Sequence, residues 1–209
     1  LFREVELFRL PSVFIKDLFV RLVPDGGLGR IAVDLRLSDP VDGTARLAIP
    51  ELGVDRAVPV AGGVGTALLE ARPELWSPER PRLYEVEARF GADRVEDRVG
   101  FREIRVEGER ILLNGAPVFL KGICVHEDDA AVGRVASEAD LRRRFAHARE
   151  LGCNFLRLAH YPHHERTAEL ADELGFMLWE EIPVYWAIAF DREDTLADAR
   201  NQLGELILR

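Results

Sequence analysis

Three short apolar runs, each ending in polar residues, constrain this chain more than any other feature. They are Gly122-Ile-Cys-Val-His-Glu-Asp128, Arg157-Leu-Ala-His-Tyr-Pro162 and Trp179-Glu-Glu-Ile-Pro183, and amphipathic segments of helical period separate them. Strand, helix, strand, helix, strand is the order of a parallel sheet. Such sheets meet ligands at the carboxyl ends of their strands, which is where these polar residues fall.

The helical segments carry their own start and stop signals. Ser137 followed by Asp140 is a capping-box-like start, Leu141, Phe145 and Ala148 then share one face, and Gly152 can end the helix. A second helix is expected from about His164 to Leu174, with Ala168, Ala171 and Leu174 facing in and Gly175 as its stop. A third begins near Asp194-Thr195 and carries Leu196, Ala199, Leu203, Leu206 and Ile207 on one stripe. A closed eight-stranded barrel takes roughly 250 residues. Three βα units therefore read as a piece of something larger.

Residues 1 to about 103 read as all-β. Ile31, Val33, Leu35 and Leu37 alternate with Ala32, Asp34, Arg36 and Ser38, the two-residue period of a half-buried strand. Similar runs recur at 13–23, 45–49, 66–71, 83–90 and 94–101, separated by the turn-formers Pro24-Asp-Gly-Gly27, Asp39-Pro-Val-Asp-Gly43 and Ala61-Gly-Gly63. Short strands at even spacing predict a β-sandwich of immunoglobulin type. The Gly-rich 61–65 stretch lacks the Lys-Ser/Thr and the helix start of a phosphate cradle, so a hairpin loop is expected there. The pattern changes around Gly100-Phe-Arg-Glu103. A hairpin of 104–113 and 117–120, joined by Asn114-Gly115, then leads into the α/β part. Two domains are expected, 1–103 and 104–209.

Composition excludes some partners. The formal charge of -9 and pI near 5.2 argue against nucleic acid or an anionic membrane, and no apolar run reaches spanning length. No signal peptide is visible, but the chain opens at Leu1 without an initiator Met, so this says nothing about secretion. Cytoplasm and periplasm of a bacterium both stay open. Cys124 and Cys153 lie in or beside predicted strands and are expected as buried free thiols.

The polar residues admit several chemistries. Arg157 lies inside an apolar strand and needs a carboxylate partner. Glu180 and Glu181 are neighbours, so they project to opposite faces and cannot be the facing carboxylate pair of a glycosidase. His160, His163 and His164 invite a metal, but Pro162 breaks regular structure among them and no Cys completes a ligand set. Cys124 and His126, two apart on one strand, do not readily bring sulfur to imidazole.

Leu113-Asn-Gly-Ala-Pro-Val-Phe-Leu-Lys-Gly-Ile-Cys-Val-His-Glu-Asp128, Gly133-Arg134, Asn154-Phe-Leu-Arg-Leu-Ala-His-Tyr-Pro162 and Leu170-Ala-Asp-Glu-Leu-Gly-Phe-Met-Leu-Trp-Glu-Glu181 together resemble glycoside hydrolase family 2. Its members include β-galactosidases, β-glucuronidases and β-mannosidases. Phe2-Arg3, Trp76-Ser-Pro78, Leu83-Tyr84 and Gly100-Phe-Arg102 extend a weaker likeness through the β-rich half. The resemblance implies an immunoglobulin-like sandwich followed by the first three βα units of a TIM barrel, cut from a retaining β-glycosidase that acts on a β-glycoside. The family's general acid/base sits in an Asn-Glu pair on a fourth barrel strand, and its nucleophile on a later one. No Asn-Glu pair occurs here, so the chain by itself is expected to be inactive. By resemblance, Arg157 holds the nucleophilic carboxylate in place, while His126 and His160 line the pocket and hydrogen-bond sugar hydroxyls. Asp128 matches an acid that touches the sugar, and Glu181 the inward acid of the third barrel strand. The magnesium ligands of galactosidases have no counterparts among Tyr185, Trp186 and Ala187, so no cofactor is expected. The alternative is a non-catalytic carbohydrate-binding or assembly module. Exposed sheet edges also predict a homo-oligomer.

Overall fold

The computed structural model describes residues 5–23, 29–135 and 137–208. The turn expected at Pro24–Gly27 and the Phe2-Arg3 likeness lie outside them. The chain divides into two compact units, one spanning Glu6–Val118 and the other beginning at Phe119.

The first unit is built on seven antiparallel strands: β1 (Ile15–Leu22), β2 (Arg30–Leu37), β3 (Gly43–Ile49), β4 (Val54–Ala61), β5 (Val64–Glu70), β6 (Tyr84–Phe90) and β7 (Asp93–Val99). They join in the order β1-β2-β5-β4-β3-β6-β7. The join between β4 and β5 is narrow, covering only Val60↔Gly65 and Ala61↔Val64 beside the Gly62-Gly63 turn. At the far ends the Ile15 N–H donates to the Asp93 carboxylate at 2.7 Å, so the sheet curls until its edges nearly meet. The inward half of the alternation in β2 holds: Ile31, Val33, Leu35 and Leu37 are buried with Leu47, Ile49, Val58 and Val86, while of the expected outward residues Arg36 is exposed, Asp34 and Ser38 are half-buried and Ala32 is buried.

Strand β4 has no counterpart in the sequence reading. Its Asp55-Arg56 pair and Pro59 mask the period, yet Val54, Val58 and Val60 are buried. Proline is tolerated because the far side of β4 is paired only at its last two residues. Gly62 and Gly63 both have positive φ, and the loop at 61–65 is the expected hairpin turn.

Three short strands follow: β8 (Ile104–Glu107), β9 (Arg110–Leu113) and β10 (Ala116–Pro117), in the order β10-β9-β8. The run 104–113, read as one strand, is two, because a Gly108-Glu109 turn with Gly108 at positive φ folds it back on itself. Asn114 and Gly115 take positive φ between β9 and β10, as Asn-Gly predicts. Asn114 also ties this small sheet to the first unit. Its side chain accepts from the Glu103 N–H at 3.0 Å and donates to the Trp76 carbonyl at 2.9 Å. By contacts this small sheet groups with the seven-stranded one, and the compact unit ends at Val118. Trp76 is fully buried, and a Cβ on Gly100 would come within 2.7 Å of its ring, which accounts for that glycine.

The second unit alternates strand and helix: β11 (Gly122–Val125), α1 (Glu138–Glu150), β12 (Phe155–Leu158), α2 (Glu165–Leu174), β13 (Met177–Glu180) and α3 (Glu193–Leu208). The three strands are parallel, with β12 central. Ser137 caps α1 in a full capping box with Asp140, whose carboxyl is pulled down to about 2 chiefly by its hydrogen bonds to Ser137. Gly175 ends α2 in the left-handed conformation. One face of the sheet packs on the helices through Leu156, Leu158, Leu141, Phe145, Ala148, Leu170, Ala171 and Phe176. The helix face of α2 centres on Thr167, Leu170 and Ala171; Ala168 and Leu174 are only half-buried.

The opposite face of this sheet carries Cys124, Arg157 and Trp179. Cys124 and Trp179 are exposed, and Cys153 is half-buried. The expectation of two buried thiols fails for this reason: at position 124 the strand alternation selects the face without helices. The apolar stripe of α3 forms, but none of its residues is buried.

Candidate functional site

The site lies where β11, β12 and β13 end. At the start of β11 a Cβ on Gly122 would come within 2.6 Å of the Phe155 carbonyl oxygen, so only glycine lets the two strands approach this closely. The same pairing sets Cys124 beside Arg157, and Arg157 beside Trp179. Two residues past Trp179, Glu181 turns back over the sheet to meet Arg157. Arg157 Nε donates to Glu181 Oε1 at 2.6 Å and its NH2 to Oε2 at 3.2 Å, a two-pronged ion pair. The third nitrogen lies 3.7 Å from Cys124 Sγ. The carboxylate partner that an in-strand arginine requires is therefore Glu181, while Glu180 is exposed.

His160 completes this group. The Ala159–His160 peptide is cis, and the ring nitrogen Nδ1 is 3.1 Å from Glu181 Oε2 and 3.2 Å from Arg157 NH2. Arginine has no acceptor and an ionised carboxylate no donor. Nδ1 can therefore bond only one of the two: the Nδ1–H tautomer donates to Glu181 and leaves Nε2 as an acceptor, while Arg157 NH2 is already bonded to Glu181 Oε2. His126 sits edge-on to His160 at 5.3 Å between ring centroids, and Tyr185 lies against the His160 ring at 5.2 Å. Asp128 is exposed. Arg134 Nε donates to it at 3.3 Å, and the Arg134 guanidinium also lies 4.6 Å over the Tyr161 ring. Tyr161 in turn flanks His126 at 6.2 Å. Thus His126, Arg157, His160 and Glu181 converge, and Asp128 joins through Arg134 and Tyr161.

Electrostatics follow the geometry. The Arg157 hydrogen bonds hold the Glu181 carboxyl below the usual carboxylate range, with burial opposing and His160 adding to the effect. A carboxylate so held is ionised at neutral pH and is not a proton donor. The sign of the linkage is then determined. A depressed folded pKa means that the pair contributes its stability above the ordinary glutamate value of about 4.3, and loses it as pH falls through the lower folded value. Glu181→Gln is accordingly expected to melt below the wild type at neutral pH, with the gap closing as the pH falls below the ordinary glutamate range. Melting temperature against pH for both proteins measures this, and a gap independent of pH would contradict it.

The histidines of the possible metal cluster have other work. His163 is buried and donates from Nε2 to the Ala159 carbonyl at 2.9 Å, and burial lowers its pKa. His164 caps α2, its Nδ1 accepting from the Arg166 N–H at 3.0 Å. Among the described residues no group of three or more His, Cys, Asp or Glu side chains is arranged to hold a metal ion. The segment after Glu181, Ile182-Pro-Val-Tyr-Trp-Ala187, contains no carboxylate or imidazole.

Comparison with known proteins bears on this arrangement. A model of the glycosyl hydrolases family 2 TIM barrel domain matches residues 104–194, and a second, of glycosyl hydrolases family 2, matches 13–102. The chain belongs to glycoside hydrolase family 2. A β-galactosidase of Arthrobacter sp. (strain B7) is 35% identical over 84% of this family 2 chain, which covers 17% of that protein. A β-glucuronidase of Paenibacillus borealis is 30% identical over 100% of it, which covers 38% of that protein. Among solved structures, β-glucuronidase 3 of Bacteroides uniformis superposes with a TM-score of 0.79 at 29% identity, covering 95% of this chain and 26% of that one. A β-galacturonidase of Eisenbergiella tayi bound to galacturonate gives 0.78 at 29%, covering 95% and 39%. The family 2 chain thus spans well under half of these relatives.

Sequence reasoning passed over three residues at this site. Glu127 sits between two candidate residues and is buried; strand alternation, which turns it inward, was the available signal. Arg134 was noted only as part of a motif, and its partners are set by a loop. Tyr185 lies beyond the last strand, where no period reaches it.

Proposed function

We propose that this chain is the part of a retaining β-glycosidase that comprises an immunoglobulin-like sandwich and the first three βα units of a TIM barrel. On this reading residues 1–103 and 104–209 are the two domains, and the second supplies the supporting shell of the sugar pocket. The observation that carries it is the Arg157–Glu181–His160 group at the ends of parallel strands in a family 2 chain. Arg157, anchored by Glu181, presents its remaining donors toward the nucleophilic carboxylate. His160 offers Nε2 and His126 its ring to sugar hydroxyls, and Asp128 accepts a further hydroxyl. A protonated glutamate elsewhere in the enzyme assists departure of the aglycone while a second one attacks the anomeric carbon, and water then releases the sugar. Neither glutamate is among the residues assigned here, and the chain contains no Asn-Glu pair. The 209-residue chain is therefore inactive alone on this reading. Self-association through the open edges of β11 and β13 belongs to the same proposal.

The test is hydrolysis of p-nitrophenyl β-galactoside and β-glucuronide by the full-length product of the gene and by the 209-residue chain. Turnover by the first and none by the second is expected. Turnover by the short chain overturns its inactivity. Saccharide binding with no hydrolysis by either protein favours a non-catalytic carbohydrate-binding module.

A further inference from the structure

We infer that Glu127 is a positioning residue, the buried carboxylate that ties the loop bearing His126 and Asp128 to the loop bearing His160 and Tyr161. This deepens the glycosidase reading and rests on it for the kinetic consequence alone. Glu127 is 4% exposed, while His126 and Asp128 on either side of it are exposed. Its side chain turns away from the pocket and accepts the His164 N–H at the start of α2. Its own N–H donates to the Tyr161 hydroxyl at 3.3 Å. Arg144 of α1 donates to the carbonyls of Glu127 and Asp128 at 3.1 and 3.4 Å. One residue thus joins the end of β11, the end of β12, α1 and α2.

Packing alone does not call for a carboxylate here. A buried carboxyl group is expensive unless it is well hydrogen-bonded, and an apolar residue of similar volume commonly serves stability as well or better. The acid does something that an apolar residue does not: it accepts a backbone N–H of the neighbouring loop and so fixes the register of His126 against His160. Their rings meet edge-on at 5.3 Å between centroids, a contact whose spacing the backbone on both sides sets. Buried His163, stacked on Tyr161 at 5.2 Å, closes the same cluster from below.

Two variants test this. Glu127→Gln keeps an acceptor for the His164 N–H, while Glu127→Met keeps the volume and loses the acceptor. In the 209-residue chain, ring-proton NOEs between His126 and His160 are expected in the wild type and Glu127→Gln, and lost in Glu127→Met at unchanged helical circular dichroism. In the full-length enzyme, kcat/KM should fall about tenfold or more in Glu127→Met and be largely restored in Glu127→Gln, since small misplacements of positioning groups have effects of that order. NOEs retained in Glu127→Met overturn the inference whatever the activity. NOEs lost with kcat/KM unchanged overturn its kinetic half. If Glu127→Met does not fold, failure of Glu127→Gln to keep both the NOEs and the activity overturns it as well. A wild-type protein that hydrolyses no β-glycoside, with the NOE pattern as expected, overturns the glycosidase reading and leaves the positioning role standing.

Discussion

On the proposed glycosidase reading, replacing Arg157 with methionine is expected to lower kcat/KM of the full-length protein by about 100-fold or more, the order expected when a group that orients reacting atoms is lost. The physical reason is local. Arg157 makes a two-pronged ion pair with Glu181, and both lean on His160 within 3.2 Å. Without the guanidinium, Glu181 keeps its charge but loses the donors that hold it, and the His160 ring loses its fixed neighbour. On the proposed reading, the nucleophilic carboxylate that Arg157 faces loses its cation at the same time. Arg157→Lys keeps the charge but not the planar fork, so it should fall between the two. Steady-state kinetics on a p-nitrophenyl β-glycoside, with the melting temperature as control, provide the measurement. A methionine variant within about threefold of wild type would place Arg157 outside the working pocket, since loss of a positioning group is worth far more.

The largest stability effect is expected at Trp76, outside the site. Its side chain is fully buried, its backbone N–H donates to the Phe101 carbonyl at 2.8 Å, and its backbone carbonyl accepts from Asn114. Arg102 lies 4.6 Å over its ring. Trp76→Ala removes the largest buried side chain of the first unit and opens a cavity against Gly100, where no side chain can grow in to fill it. Such truncations cost about 3–5 kcal/mol. At about 2–4 °C per kcal/mol for a chain of this size, the transition of the first unit should fall by about 10 °C. Differential scanning calorimetry reads this directly, and a shift under about 3 °C would mean that the cavity collapses.

Much of the fold was legible because burial leaves a period in the sequence. The alternation of Ile31, Val33, Leu35 and Leu37, the Ser137–Asp140 capping box, the inward face of Leu141, Phe145 and Ala148, and the Asn114-Gly115 turn all appear in the structure as read. Where the period is interrupted, reading failed. Strand β4 was missed because Asp55, Arg56 and Pro59 interrupt its valines, and 104–113 was read through a Gly108-Glu109 turn that reverses it. Cys124 was misjudged for another reason: a strand in a parallel sheet is expected to be covered on both faces, and here only one face has helices.

The site shows the same division. Local sequence determined that the chemistry-bearing residues cluster at strand ends, and that Arg157 requires an acid, since an unpaired guanidinium in an apolar strand is too costly. Strand order and register decided which acid, bringing Glu181 to Arg157 across 24 residues while Glu180 is exposed. They decided too that His163 and His164 serve the backbone, and that Asp128 meets Arg134. Periodicity is a property of neighbours along the chain. Which residues share a hydrogen bond across a sheet depends on how far the connecting loops and helices carry the chain, and only the folded structure determines that.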